Sequence, residues 1–227
     1  MHWADFAAQT LSQRGNKHII ASGITPSGEF HIGHLREILT GDMITRACKN
    51  AGMDAEFVFI VDSADPLRKV YPFLSDEYEQ YIGCALATIP APDENGCPGS
   101  DGRNYAEHFL EPFLAALEQI DVRPRIIDNY TSYANGEFAE KARIACEKAD
   151  EIREIIERVS SRELAPDWFP YNPYGHNGSL DGVTVTGFEW PYVHWAQDGT
   201  PGKSNLNKAE GKLPWRIDWP AKWGWIG

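Results

Sequence analysis

With 227 residues and 42% hydrophobic side chains, the chain can bury a proper core, as one domain with an insert or as two small domains. Its formal net charge of -12 excludes a general nucleic-acid surface, because phosphate binding draws on clustered Lys and Arg; any RNA contact is expected to be local or to lie on other sequence. Cys48, Cys84, Cys97 and Cys146 show no C-x-x-C spacing and read as reduced thiols, no export signal opens the chain, and no apolar run approaches the roughly 18 residues of a membrane span, so a cytoplasmic protein without membrane attachment is expected.

KHIIASG, Lys17 to Gly23, is short, β-branched and ended by glycine, which predicts a buried strand. The loop ITPSGEF follows. From His31 onward Leu35, Ile38, Leu39, Ile44 and Ala47 recur near helical spacing, and Gly52 stands where a helix C-terminal glycine belongs. AEFVFIVDSAD, Ala55 to Asp65, predicts a second buried strand ending in two carboxylates. Strand, glycine-bearing loop, helix and strand make a right-handed βαβ unit and therefore a parallel sheet. Farther on, Asn104 with Glu107 forms a helix-capping pattern, and Pro112 predicts a break into two helical pieces. RPRIIDNY predicts a third strand, and Glu137 to Ser160 one long surface helix. From Pro166 the composition shifts to Trp, Tyr, Pro, Gly and Asn, and the alternation in VTVTGFEWPYVHW predicts a small antiparallel insert with hairpins. PGKSNLNKAEGK reads as a loop, and LPWRIDWPAKWGWIG as a tryptophan-rich closing segment.

In a parallel sheet ligands bind beyond the carboxyl ends of the strands, and SGITPSGEFHIGHLRE, Ser22 to Glu37, falls at that edge. Gly23, Gly28 and Gly33 allow close backbone approach, and the helix starting near His31 presents unpaired N–H groups and positive dipole potential to an anion. A triphosphate is the expected guest. His31 and His34 are three apart, so both imidazoles can point from the first helical turn towards the same phosphates and donate hydrogen bonds to charge that grows on them. Either histidine alone would read as an ordinary structural residue; it is the glycine-bearing turn that favours phosphate.

PSGEFHIGHL fits the HIGH signature of class I aminoacyl-tRNA synthetases. The wider set, SGITPSGEFHIGHLRE, DSADPLRKV, YAEHF and WRIDWPAKW in that order, resembles the class I lysyl-tRNA synthetases over nearly the whole chain. The resemblance implies an α/β fold: a Rossmann-like (HUP-type) parallel sheet with helices on both faces and an incomplete second half, plus a small antiparallel insert. Residues 1–165 would form the nucleotide-binding catalytic domain, 166–212 the insert and 213–227 a return segment. The implied activity is ligation of L-lysine to tRNA(Lys) through a lysyl-adenylate made from ATP, with Mg2+ accompanying the nucleotide. Carried over by position, Pro26, Ser27, Gly28, His31, Gly33 and His34 would meet ATP, with His31 and His34 in the catalytic role. Gly23, Thr25, Asp62, Asp65, Asp218, Trp219 and Trp223 would line the amino-acid pocket. Physically, Asp62 and Asp65 could receive a lysine ammonium, fix Arg68 and Lys69, or cap the following turn, and the tryptophans could cover a lysine stem or serve packing.

Two departures from that family pattern stand out. YNPYGHNG carries Asn172 and Tyr174 where the family has zinc ligands, and His176 and His194 cannot fill a tetrahedral site alone. No structural zinc is expected, with Trp190, Tyr192 and Trp195 packing the hairpin in its place. The 227 residues also contain no KMSKS loop and no anticodon-binding segment, which implies a form weak or inactive alone; the alternative is a non-catalytic shortened paralogue that binds lysine, an adenylate or a protein partner. The open inner edge of the sheet would then self-associate or be covered by a partner.

Overall fold

The β-branched runs form strands, and the strands pair in parallel as their connections require. In the computed structural model, which describes residues 2–226, the chain forms two units: residues up to Asp65 together with Leu86–Asn129, and Pro66–Ala85 together with the residues from Tyr130 onward.

The first unit begins with α1 (Trp3–Ser12), capped by His2, whose side chain accepts from the Ala4 N–H while Asp5 accepts from the His2 N–H. β1 (Lys17–Ile24), α2 (Ile32–Asn50) and β2 (Asp54–Val61) then make the expected βαβ unit, and Gly52, with a φ of 82°, ends the helical turn. Later come α3 (Tyr105–Gln119) and β3 (Arg125–Asp128), and the sheet order is β1-β2-β3, all parallel. β2 alternates at its start and is continuously buried from Phe57 onward, the pattern of a central strand covered on both faces. On one face Phe57, Phe59 and Val61 pack with Ile24, Ile38 of α2, and Phe113 and Leu117 of α3. Beneath them Ala4, Ala8, Ala47, Cys48, Met53 and Ala55 join α1 to the same layer.

α3 is one helix and not the two pieces predicted from Pro112. Pro112 stands on the exposed face, so the carbonyl it leaves unpaired is near solvent, while burial of Phe109, Phe113 and Leu117 carries the helix through.

After α4 (Asn129–Ala134), the predicted long helix is divided into α5 (Ala139–Glu147) and α6 (Ala149–Ser160) at Lys148. Backbone bonds continue on either side, Lys148 N–H to Ile144 and Ile152 N–H to Lys148, which is why the local signals read as unbroken. The halves differ in burial: α5 hides Ala139, Ala142, Ala145 and Cys146, whereas α6 buries no residue fully.

In the remainder of the second unit β4 (Asn172–Pro173) pairs with β8 (Gly211–Lys212), and β5 (Val183–Glu189), β6 (Tyr192–Gln197) and β7 (Thr200–Asn205) form an antiparallel meander. The predicted insert is thus present, but the segment read as a loop supplies β7 and β8. Asp198 and Gly199 both have positive φ, the signature of a tight hairpin turn that strand propensities of TPGKSN conceal. Only Trp195 of the three aromatics expected to fill the hairpin is buried, its indole N–H donating to Ser204 at 2.9 Å. Trp190 is 43% exposed beneath the Arg143 guanidinium, and Tyr192 lies under Lys203. Gly202 faces the Trp195 ring so closely that an added Cβ would come within 2.4 Å of it. Gly202→Ala is expected to destabilise the meander by about 1–3 kcal/mol; an unchanged thermal midpoint would mean that the ring can move aside. α7 (Trp215–Ile226) closes the described chain.

Candidate active site

Pro26, Ser27 and Gly28 lie in the turn between the carboxyl end of β1 and α2. The turn is fixed at both ends. Thr25 Oγ1 donates to Asp65 Oδ2 at 2.7 Å, and the fully buried Tyr105 donates its hydroxyl to the Ser27 carbonyl at 2.9 Å. Phe30 stacks on Phe113 at 4.2 Å, tying the entry of α2 to α3.

His31 is the N-cap of α2. Its Nδ1 accepts from the Gly33 N–H at 3.0 Å, and His34 Nδ1 accepts from the His31 N–H at 3.0 Å. Two imidazoles therefore do the work that a Ser and a Glu do in an ordinary capping box. The rings stack at 3.9 Å, and a Cβ on Gly33 would come within 2.8 Å of the His31 ring, so glycine is what lets that ring fold back. Because both Nδ1 atoms accept, each neutral ring carries its proton on Nε2, which is left as a donor. Burial, and after it the neighbouring His31, pushes the His34 pKa down and favours this neutral form. The first turn of α2 holds no acidic residue, in contrast to α1 and α3 with Asp5 and Glu107, so its positive end is not neutralised from within the helix.

Gly23 lies in β1, and Asp62 and Asp65 follow β2; both acids are buried. Asn129 Nδ2 donates to Asp62 Oδ1 at 3.3 Å, and the Asp65 N–H donates to the Asp62 carbonyl at 3.1 Å. The first unit thus brings Gly23, Thr25, the turn residues Pro26, Ser27 and Gly28, Asp62 and Asp65 to the carboxyl edge of one sheet.

Asp218, Trp219 and Trp223 belong to the second unit. Asp218 is 1% exposed: Oδ1 accepts from Tyr133 at 2.8 Å and Oδ2 meets Lys222 Nζ at 2.5 Å. That ammonium also lies 4.8 Å from the centre of the Trp219 ring, and the Tyr133 oxygen accepts from the Leu213 N–H. Burial first, then Asp218, holds the Tyr133 phenol well above its usual range, as a protonated donor. Trp223 is 63% exposed.

Sequence reasoning missed Tyr105, Asn129, Tyr133 and Lys222. Only Lys222 had a local signal, an acid four residues earlier on one helix. Among the described residues no group of three or more His, Cys, Asp or Glu side chains is placed to hold a metal ion, and no helix is long and apolar enough to cross a membrane.

A parallel sheet with a glycine-bearing turn leading into an anion-ready helix, its cap built from the HIGH histidines, defines a class I synthetase fold. The chain matches the family tRNA synthetases class I (K) over residues 1–227 and belongs to it. Its relatives include lysine--tRNA ligases of Methanosarcina barkeri, 40% identical over all of this chain and 42% of the relative, and of Archaeoglobus fulgidus, 44% identical over 98% of this chain and 44% of the relative. The lysine--tRNA ligase of Methanocaldococcus jannaschii is 41% identical over 98% of this chain and 42% of its own length. The chain therefore spans less than half the length of these relatives.

Proposed function

We infer that the first unit carries the ATP and lysine sites of a lysine--tRNA ligase. The observation that bears most weight is the two-histidine cap of α2, which engages both Nδ1 atoms and leaves two Nε2 positions beside a helix N-terminus whose first turn holds no acid. Such a site binds triphosphate without forming a covalent bond to it. In the reaction proposed, a lysine carboxylate oxygen attacks the α-phosphorus of ATP, the bond to the β-phosphate oxygen breaks, and pyrophosphate leaves. A ribose hydroxyl at the end of tRNA(Lys) then attacks the carbonyl carbon of the adenylate and AMP leaves. Pro26, Ser27, Gly28 and Gly33 shape the backbone around the phosphates, and His31 and His34 donate to charge that builds on them. Mg2+ would arrive with the nucleotide, held by phosphate oxygens. For the amino acid we propose Gly23, Thr25, Asp62 and Asp65 at the sheet edge. Asp218, Trp219 and Trp223, which the family resemblance implies for the amino acid, lie on α7 of the second unit, where Trp223 is the more exposed of the two tryptophans.

The test is calorimetric titration of the chain with a non-hydrolysable lysyl-adenylate analogue, with the glutamyl and arginyl analogues as controls. Selective binding of the lysyl form is expected. Equal binding of all three, or of none, would remove lysine activation from these residues.

A further inference from the structure

We propose that Asn129 is a specificity-determining residue that, with Asp62, receives the ε-ammonium of the lysine side chain; the assignment rests on the lysine-activating reading above. The last paired row of the parallel sheet is Ile24, Val61 and Asp128, one residue from each strand. The residue that follows each strand is polar: Thr25, Asp62 and Asn129, the last opening α4. Adjacent strands lie about 4.8 Å apart, so one small ligand at the carboxyl edge can meet side chains from neighbouring members of that row. Asp62 keeps its place in it, for its N–H still donates to the Ile24 carbonyl at 3.0 Å.

The amide of Asn129 is oriented by its neighbour. Because Nδ2 donates to Asp62 Oδ1 at 3.3 Å, Oδ1 is the atom turned elsewhere, and it is buried with no hydrogen-bond partner among the described residues. Folded proteins rarely leave a buried carbonyl in that condition, and a bound ion or ligand is one of the recurrent explanations. The missing complement is a donor. An ammonium offers three donors and no acceptor, and its charge suits the Asp62 carboxylate that Asn129 already holds. The amide can then serve both partners, donating to the acid and accepting from the amine. A guanidinium brings a flat five-donor fork, and an aliphatic side chain brings no donor, so both fit a lone carbonyl beside a carboxylate less well. Asn129 is fully buried, so a contact with it is made out of water, where hydrogen bonds to charge discriminate most.

The experiment compares calorimetric binding of lysyl- and norleucyl-adenylate analogues, which share the aliphatic stem and differ in the ammonium, to the chain and to Asn129→Leu and Asn129→Ser. The wild type is expected to prefer the lysyl form. Both variants should lose about 10-fold or more of that preference while their norleucyl affinity stays within about 2-fold. Ser serves as the smaller replacement should Leu disturb folding, which melting curves report. Parallel weakening of both ligands, or an intact preference in a folded variant, would reduce Asn129 to a structural residue and overturn the proposal. A wild type that binds neither analogue would instead overturn the lysine-activating reading itself.

Discussion

Lys222→Met is expected to lower the stability of the second unit by about 3–5 kcal/mol, the usual effect of stripping one partner from a buried ion pair. Both members of the pair are shielded from water: the Lys222 and Asp218 side chains are 1% and 2% exposed. Methionine keeps most of the stem volume, so little cavity forms and the loss is electrostatic. Among the described residues Asp218 would retain the Tyr133 hydroxyl as its side-chain donor while still carrying its charge in a dry site. The effect should appear as an earlier urea transition followed by tryptophan fluorescence, because Trp219 loses the ammonium over its ring at the same time. The double variant Asp218→Asn/Lys222→Met removes both charges and should recover most of the loss. If the single variant melts with the wild type, α7 is not anchored by this pair, and Asp218 becomes available for a direct ligand role.

His31→Ala should weaken ATP binding by about 10-fold or more, through loss of one donor and of the ring that orients His34. It should also destabilise the start of α2 by about 1 kcal/mol, the ordinary worth of an N-cap. The same geometry sets a pH dependence whose sign runs against simple charge attraction. The His34 pKa is lowered in the fold, by burial foremost, so the unfolded chain binds the proton more readily. The stability tied to its neutral form is complete above the unfolded value of about 6.5 and is lost as pH falls below it towards the folded value. Protonation also places a hydrogen on Nδ1, where the His31 N–H now donates, and breaks the cap. Thermal stability and ATP affinity should therefore both decline from pH 7 to 5.5, although added positive charge would by itself attract phosphate. Affinity that rises on acidification, measured by titration at each pH, would show that the imidazolium is the binding form.

Much of the first unit was legible in the sequence because its signals are local. The strand at Lys17, the cap at His31, the turn at Gly52 and the Asn104–Glu107 box each lie within a few residues of what they specify, although that strand, expected to be buried, is an edge strand with Ser22 and Ile24 as its buried positions. The turn between β1 and α2 is equally local, its residues lying within one short stretch of chain. What could not be read depends on distant partners. α3 survives Pro112 because Phe113 and Leu117 are wanted by a core that includes β2, and no window around Pro112 contains that demand. α5 and α6 part at Lys148 because the two halves face different surroundings, not because a breaker stands there. β7 was hidden by Pro201, Gly202 and Lys203, although Asp198–Gly199 was a turn signal that outweighed them. Asn129 and Tyr105 act across 67 and 78 residues of chain respectively, a range at which spacing carries no information.

The row of Thr25, Asp62 and Asn129 begins one residue after the apolar ends of β1 and β2 and the end of β3. This separates what must be inherited from what is free to vary. Ile24 and Val61 are bound into the layer beneath α2 and α3, so a change there disturbs the whole scaffold. One step farther along, each position follows a different strand, and on the reading proposed above a substitution there alters the ligand site and not that layer. A lineage could therefore alter its preferred amino acid along this row, with Asp62 and Asn129 changing as a bonded pair, on a frame that never needs to be rebuilt.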